Sequence, residues 1–508
     1  MSAQPADMKK IFILLIRMGL IWILPLSGMA QSGSIGQFSD QADVGTVAIV
    51  GEAAYNPVSQ TYWIRGSGSN IWDRTDAFHY LYTRLSGDFI LQAELYWPEK
   101  SMEPHRKAGW MIRSSLDAHA MHVSAVAHGN GLISLQYRAH ANGITAEKQL
   151  PADSAWVLQL ERKGNRYIFS AARFGDTLQQ VEVDTVHLPD TVYAGLFVCA
   201  HQPDRAETVI FRNVRIIRPA PPTLVPYRDY LGSYIEILDV HNGHRWMIYT
   251  DKGSVQAPNW TRDGQSLIFN KDGKLYCLSL ITHQISLIPT GHATQNNNDH
   301  VISFDGKWLG ISNTPDSSTS SHVYIVPIQG GEPRLITPIG PSYLHGWSPD
   351  GHDLVYTAQR NGEFDIYRIS VQGGEEQRLT FTPGLDDGPE YSPDGKFIYF
   401  NSVRSGHMQI WRMKPDGSSA EQLTHDDFQN WFPHISPDGK WMVFLSYLPD
   451  VRPDDHPFYK KVYIRMMPAD GGKPRVLAYV YGGQGTINTP SWSPDSRFIA
   501  FVSNSGMW

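Results

Sequence analysis

Short stretches of alternating apolar and polar residues, each closed by a turn rich in Gly, Pro, Asn or Asp, recur along most of the chain. Alternation with period two sends successive side chains to opposite faces, so each stretch predicts a half-buried strand. In the first half, FILQAELYW (89–97), GWMIRSSL (109–116), HVSAVAHG (122–129), LISLQYRA (132–139), TVYAGLFVCAH (191–201) and ETVIFRNVRII (207–217) read this way. AWVLQLERKGNRYIFSAARFG (155–175) reads as two alternating strands joined by a hairpin turn within RKGNRY. Periodicity of 3.6 is nearly absent, so residues 33–218 predict a β-sandwich. RPAPPTLVPYR (218–228) is proline-rich, and residues 219–228 read as a linker.

The second half is built on a repeat. A turn cassette occurs as TRDG (261–264), SFDG (303–306), SPDG (348–351, 392–395 and 436–439) and SPDS (493–496). Its aspartates stand at 263, 305, 350, 394, 438 and 495, a period near 44 with one longer gap. Proline presets φ, aspartate caps the turn, and glycine takes the positive φ. In the unit from Gly388 to Thr424, strand one ends at Tyr391, KFIYFNS is strand two, MQIWRMK strand three and AEQLT strand four. Four short strands at this period predict a propeller blade. The last unit, PSWSPDSRFIAFVSN, has only two strands, and SYIEILDVHNGHRWMIYT (233–250) reads as strands three and four without a one and two. Joined, they complete a sixth blade and hide the sheet edges. The fold class is therefore all-β: an N-terminal β-sandwich followed by a six-bladed β-propeller over 229–508.

Composition changes this picture little. The chain has 508 residues, a formal net charge of -7 and no basic stripe, which argues against nucleic acid as a partner. Residues 1–30 read as a secretory signal peptide: Lys9, Lys10 and Arg17 accompany the apolar run 11–26, and Gly28-Met29-Ala30 suits a signal peptidase. No second apolar run of spanning length follows, so no membrane span is expected after cleavage, and the protein is expected to be periplasmic or secreted. Cys199 and Cys277 fall in different predicted domains and read as small buried side chains rather than as a disulfide.

The spaced cassettes over 225–508 resemble the TolB-type propeller family. That resemblance implies an exported six-bladed propeller, and in TolB itself the propeller binds protein partners. GSGSNIWDRTDAFHYLYTRLSGDFILQAEL (66–95) and KAGWMIRSSLD (107–117) resemble the concanavalin A-like, laminin-G-like jelly rolls, many of which bind carbohydrate. Trp72, His79, Tyr80, Tyr82, Trp97 and Trp110 are there to stack on sugars or, more simply, to fill the core.

Alignment of the six cassettes points to candidate chemistry. The residue just before each is apolar: Trp260, Ile302, Trp347, Tyr391, Ile435 and Trp492. Two before, the residues differ: Asn259, Val301, Gly346, Glu390, His434 and Ser491; three before, two are histidine, His300 and His345. Strand one is innermost, so His300, His345, Glu390 and His434 are expected at the central channel. There His300, His345 and His434 suit a divalent metal, with Glu390 and His434 as catalytic candidates. Oligogalacturonate lyases, which are propellers holding a metal through channel histidines, are the resemblance for that arrangement. Hydrogen-bonded side chains lining a wet channel are the plainer reading. Blade five is longer, with its surplus in YLPDVRPDDHPFYKK (447–461) and YVYGGQGTINTP (479–490). Candidate ligand-binding residues are Asn259, Asp386, Asp387, Arg404, Trp431, His456, Gln484 and Asn488. The expected function is binding of a carbohydrate or an envelope protein. The alternative is a polysaccharide lyase or glycoside hydrolase with a metal-assisted site in the channel.

Overall fold

The computed structural model describes residues 35–507; the predicted signal peptide lies outside the described residues. No helix occurs among the described residues, so none is long and apolar enough to cross a membrane. The chain divides into two compact units between Pro219 and Ala220.

The first unit is a sandwich of two seven-stranded antiparallel sheets among the described residues. One sheet runs in the order Asp40–Val44, Phe78–Leu85, Val192–Cys199, Lys107–Arg113, His122–His128, Ile133–Arg138 and Ala146–Gln149. The other runs Gln179–Val183, Arg166–Ala172, Val157–Lys163, Phe89–Tyr96, Gln202–Ile217, Thr61–Gly68 and Glu52–Asn56. The hairpin within RKGNRY turns at Lys163↔Arg166. Inward side chains such as Leu91, Trp110, Leu135 and Phe169 meet between the sheets. Trp110, Tyr80, Tyr82 and His79 are buried, whereas Trp72 is 39% exposed. Cys199 and Cys277 are free thiols.

The second unit is a six-bladed propeller. Five blades are four-stranded antiparallel sheets, beginning at Val255, Asn296, Ser342, Asp386 and Gln429. The sixth joins the two ends of the unit, with Phe498–Ser505 pairing Gly232–Asp239 over eight positions and Arg245–Asp251 outside it. Its strand one is reduced to the bridge Trp492↔Ile499. The cassette folds alike in each blade. Ser436 Oγ donates to Asp438 Oδ1 at 2.6 Å, the Lys440 amide donates to the same oxygen, and the Trp441 amide donates to Ser436 Oγ. The residue ending the cassette sits at φ near +70°, which glycine adopts freely in five blades and Ser496 must adopt in the sixth.

Strand one holds the feature that places the site. In all five complete blades it carries extra residues against strand two, with register shifts between Gln256/Asn259, Asn296/His300, Leu344/Gly346, Asp387/Glu390 and Trp431/His434. A bulge re-aims the side chains on either side of it. In three blades a residue in left-handed conformation precedes a proline: Ala257, Gly388 and Phe432. A Cβ at Gly388 would sit 2.7 Å from Asn401 Oδ1, so glycine is needed there for space as well.

Candidate functional site

Strand one runs from the ring's interior toward the cassette, and the bulge divides it. After the bulge its side chains pack between blades. Trp347 Nε1 donates to the Val301 carbonyl of the preceding blade at 2.9 Å, and Trp492 Nε1 does the same to His434. Before the bulge its side chains line a cavity of about 770 Å³ in the propeller. The residue five before the cassette reaches that wall in five blades: Gln256, Asn298, Tyr343, Asp387 and Asn488. In blade five that position is Trp431, fully buried, and His456 from the long loop packs its ring edgewise on it at 4.6 Å. His456, Asp454 and Phe458 thus extend the wall from 447–461, and Gln484 and Asn488 from 479–490.

At the centre of the polar wall is His345, between Asp299 and Asp387, all three buried. His345 Nε2 is 3.3 Å from Asp387 Oδ1, which also accepts from Thr357 Oγ1 at 2.6 Å and from the Gly388 amide at 2.7 Å. Burial alone would lower the His345 pKa, but the charges of Asp299 and Asp387 overcome it and raise the pKa. Burial opposes ionisation of Asp387, but hydrogen bonding and charge from His345 prevail and hold it down at about 2. For Asp299 burial wins, against the charge of His345 and a 2.7 Å hydrogen bond from Asn297, and its pKa is raised. A buried imidazole between two carboxyl groups therefore faces the cavity. Asn488 Nδ2 donates to Gln484 Oε1 at 2.8 Å and Asn488 Oδ1 accepts from the Gly485 amide, which fixes that part of the wall. Among the described residues the lining includes Asp272, Asp299, Asp387 and Asp454, and no lysine or arginine.

The structure therefore brings five of the expected residues, His345, Asp387, His456, Gln484 and Asn488, to one cavity. The others lie elsewhere. Asn259 Nδ2 donates to the Pro490 carbonyl at 2.6 Å, a joint between blades. Asp386 pairs with Arg404 at 2.8 Å, and Arg404 lies over the Phe400 and Trp411 rings. His300 is fully buried, donates to Ile268 O at 3.2 Å, and is held by burial at a pKa of about 4. His434 Nδ1 meets Glu390 Oε2 at 2.7 Å, its Nε2 donates to Ile487 O, and Glu390 Oε1 accepts the Ile435 amide at 3.0 Å. The expected gathering of His300, His345 and His434 with Glu390 does not form, because the bulge turns the residues next to the cassette away from the cavity. Among the described residues no group of three or more His, Cys, Asp or Glu is arranged to hold a metal ion. Gln256, Asn298 and Tyr343 escaped the sequence reading, although position five before each cassette is polar in four blades and tyrosine in a fifth.

Comparison with known proteins agrees with this architecture. Residues 343–452 match the TolB beta propeller domain. Uncharacterized protein Atu1656 of Agrobacterium fabrum is 46% identical over 273 residues, which is 54% of this chain and 92% of that protein. The chain belongs to the TolB-type propeller family. The structure of putative TolB from Agrobacterium tumefaciens shares 44% identity and a TM-score of 0.53, covering 55% of this chain and 100% of that one. Tol-Pal system protein TolB of Bordetella pertussis is 26% identical over 212 residues, 40% of this chain and 46% of that protein. The chain thus spans about half the length of that relative.

Proposed function

We propose that this TolB-type propeller protein binds a carbohydrate in the propeller cavity, as an exported protein of the cell envelope. The observation that carries the reading is the wall itself. Amide and carboxylate side chains fixed by hydrogen bonds stand beside the Tyr343 and Phe364 rings, and no lysine or arginine joins them. Polar groups held in place suit the hydroxyls of a sugar, and rings suit its C–H faces. A polyuronate or nucleic acid would meet four carboxylates there. Export rests on the signal pattern at 1–30. The sandwich, read as a concanavalin A-like jelly roll, then serves as a second module of the same exported protein. The His345, Asp299 and Asp387 group also favours a second reading, hydrolysis or elimination on the bound glycan, because acid–base catalysis needs groups of this kind.

The test is calorimetric titration of the full chain with neutral, amino and uronic oligosaccharides, followed by chromatography of each incubated glycan. Saturable heat from a neutral or amino glycan that is lost in Asn488→Ala supports binding. Chain shortening that is lost in Asp299→Asn supports the second reading. Binding of an envelope protein in place of any glycan would overturn both.

A further inference from the structure

We infer that the ligand of the propeller cavity carries a protonated amine, so that among carbohydrates an amino sugar is preferred. The choice of a sugar rests on the carbohydrate reading above; the choice of an amine rests on a separate balance of charge and donors. Among the described residues the side chains that face the cavity include four carboxylates, Asp272, Asp299, Asp387 and Asp454, against two imidazoles, His345 and His456, and no lysine or arginine, while Arg452 holds both oxygens of Asp454 from outside the lining. Even with both imidazoles and Arg452 counted as cations, the four carboxylates outnumber them.

The acceptors are also placed for use. Every contact to Asp387 falls on Oδ1, and the hydrogen bond to Asp299 from Asn297 falls on Oδ2. Neither Asp387 Oδ2 nor Asp299 Oδ1 is among the sealed, unpartnered atoms of the protein, so both remain accessible as acceptors. These two carboxylate oxygens are the acceptors that a donor on the ligand would meet. A hydroxyl brings one donor and two acceptor lone pairs; an ammonium brings three donors, no acceptor and the missing charge. The Tyr343 and Phe364 rings add faces that attract a cation.

Calorimetry on the full chain at pH 6.5 with four probes tests this: glucosamine oligomers, N-acetylglucosamine oligomers, galacturonate oligomers and spermidine. Glucosamine oligomers are expected to bind at least about tenfold tighter than their N-acetylated counterparts, the ratio that one charge-assisted hydrogen bond provides. Galacturonate should give no saturable heat. Asp299→Asn and Asp387→Asn should each remove about tenfold of the preference for glucosamine oligomers over their N-acetylated counterparts. Should either variant fail to fold, the wild-type salt dependence serves instead, since the amine preference must shrink from 0.05 to 0.5 M NaCl. Equal or tighter binding of the N-acetylated oligomers overturns the amine inference and leaves the carbohydrate reading standing. Spermidine binding with no sugar bound keeps the amine and overturns the sugar. Silence from all four overturns both.

Discussion

Replacing His434 with alanine removes a buried joint between blades four and five without touching the cavity. His434 is 4% exposed, donates through Nε2 to Ile487 O, and meets Glu390 Oε2 through Nδ1 at 2.7 Å. Glu390 is 8% exposed. Breaking a buried charge-assisted pair from one side costs about 3–5 kcal/mol, because the partner is left behind. Here Glu390 keeps the Ile435 amide at 3.0 Å, which puts the cost at the lower end. The Ile487 carbonyl loses its donor, but it is a neutral acceptor and adds at most about 1 kcal/mol. The total is about 3–4 kcal/mol. In a domain of 150–250 residues each kcal/mol moves the midpoint by about 2–4 °C, and less in a larger unit such as Ala220–Trp508, so at about 2–3 °C per kcal/mol the propeller transition of His434→Ala should fall by about 6–12 °C. Differential scanning calorimetry on the full chain reads it, with the sandwich transition as an internal reference if the units melt apart. Ligand affinity in the cavity, measured below both midpoints, should be unchanged. A variant that melts within about 2 °C of wild type would refute the energetic argument. One that keeps its midpoint but loses ligand would return His434 to the site.

Deleting residues 498–508 removes the strand that pairs Gly232–Asp239, exposing an unpaired edge; loss of a cooperative propeller transition and aggregation on heating are expected, and an unchanged melt would count against the six-blade closure. Asp76→Ala leaves Arg138 and Arg113 without the carboxylate they contact at 2.6 and 3.4 Å in a fully buried site, and a loss of about 3–5 kcal/mol should show in the urea midpoint of the sandwich. Asp387 titrates at about 2 rather than 3.8, so ionisation contributes about 2 kcal/mol that is complete above pH ~4 and lost as pH falls through 2. The raised pKa of His345 works in the opposite direction: its contribution is complete below 6.5 and disappears as pH rises through the folded value. Urea titrations from pH 6 to 9 should therefore show wild type losing stability that His345→Gln never had; parallel curves would remove the assigned charge from His345.

The propeller was legible because its signal is local and repeated. Ser-Pro-Asp-Gly is a turn whose hydrogen bonds stay within six residues, Ser436 to Trp441, so the sequence alone specifies it and its spacing counts the blades. Closure of the ring followed from counting strands, and Gly232–Asp239 with Phe498–Ser505 is the pairing that count required. In the sandwich most of the longer strands were legible, whereas Asp40–Val44, Glu52–Asn56, Thr61–Gly68, Phe78–Leu85, Ala146–Gln149 and Gln179–Val183 were not read as strands. Four of these are short, partly exposed strands with little apolar contrast that find their place by pairing with neighbours, whereas Thr61–Gly68 and Phe78–Leu85 are eight residues long and largely buried and lack a clean period-two alternation. His345, singled out by its departure from the repeat, and Asp387, named as a ligand-binding candidate, lie at the cavity, whereas His434, Glu390 and His300 lie away from it. The error is one of register. The candidates were taken two and three residues before the cassette, at or past the bulge, whereas the wall position lies five before it.

That bulge also explains how one strand serves two purposes. The residues after it are held by neighbouring blades, as Asn259 is by Pro490 and His434 by Glu390, so their identity answers to packing across a joint. The residues before it face the cavity, where Gln256, Asn298, Tyr343 and Asp387 differ in size and charge on nearly the same backbone. Exchange at one set need not disturb the other, since their side chains leave the strand in different directions. Blade five shows what happens when the wall position is given up to packing: Trp431 is buried, and a longer loop brings His456 over it. The extra length of that blade is thus tied to its own apolar wall residue. Shortening 447–461 without replacing Trp431 by a polar side chain would leave an indole facing the cavity beside Phe432, the strand-one residue of that blade that lines it.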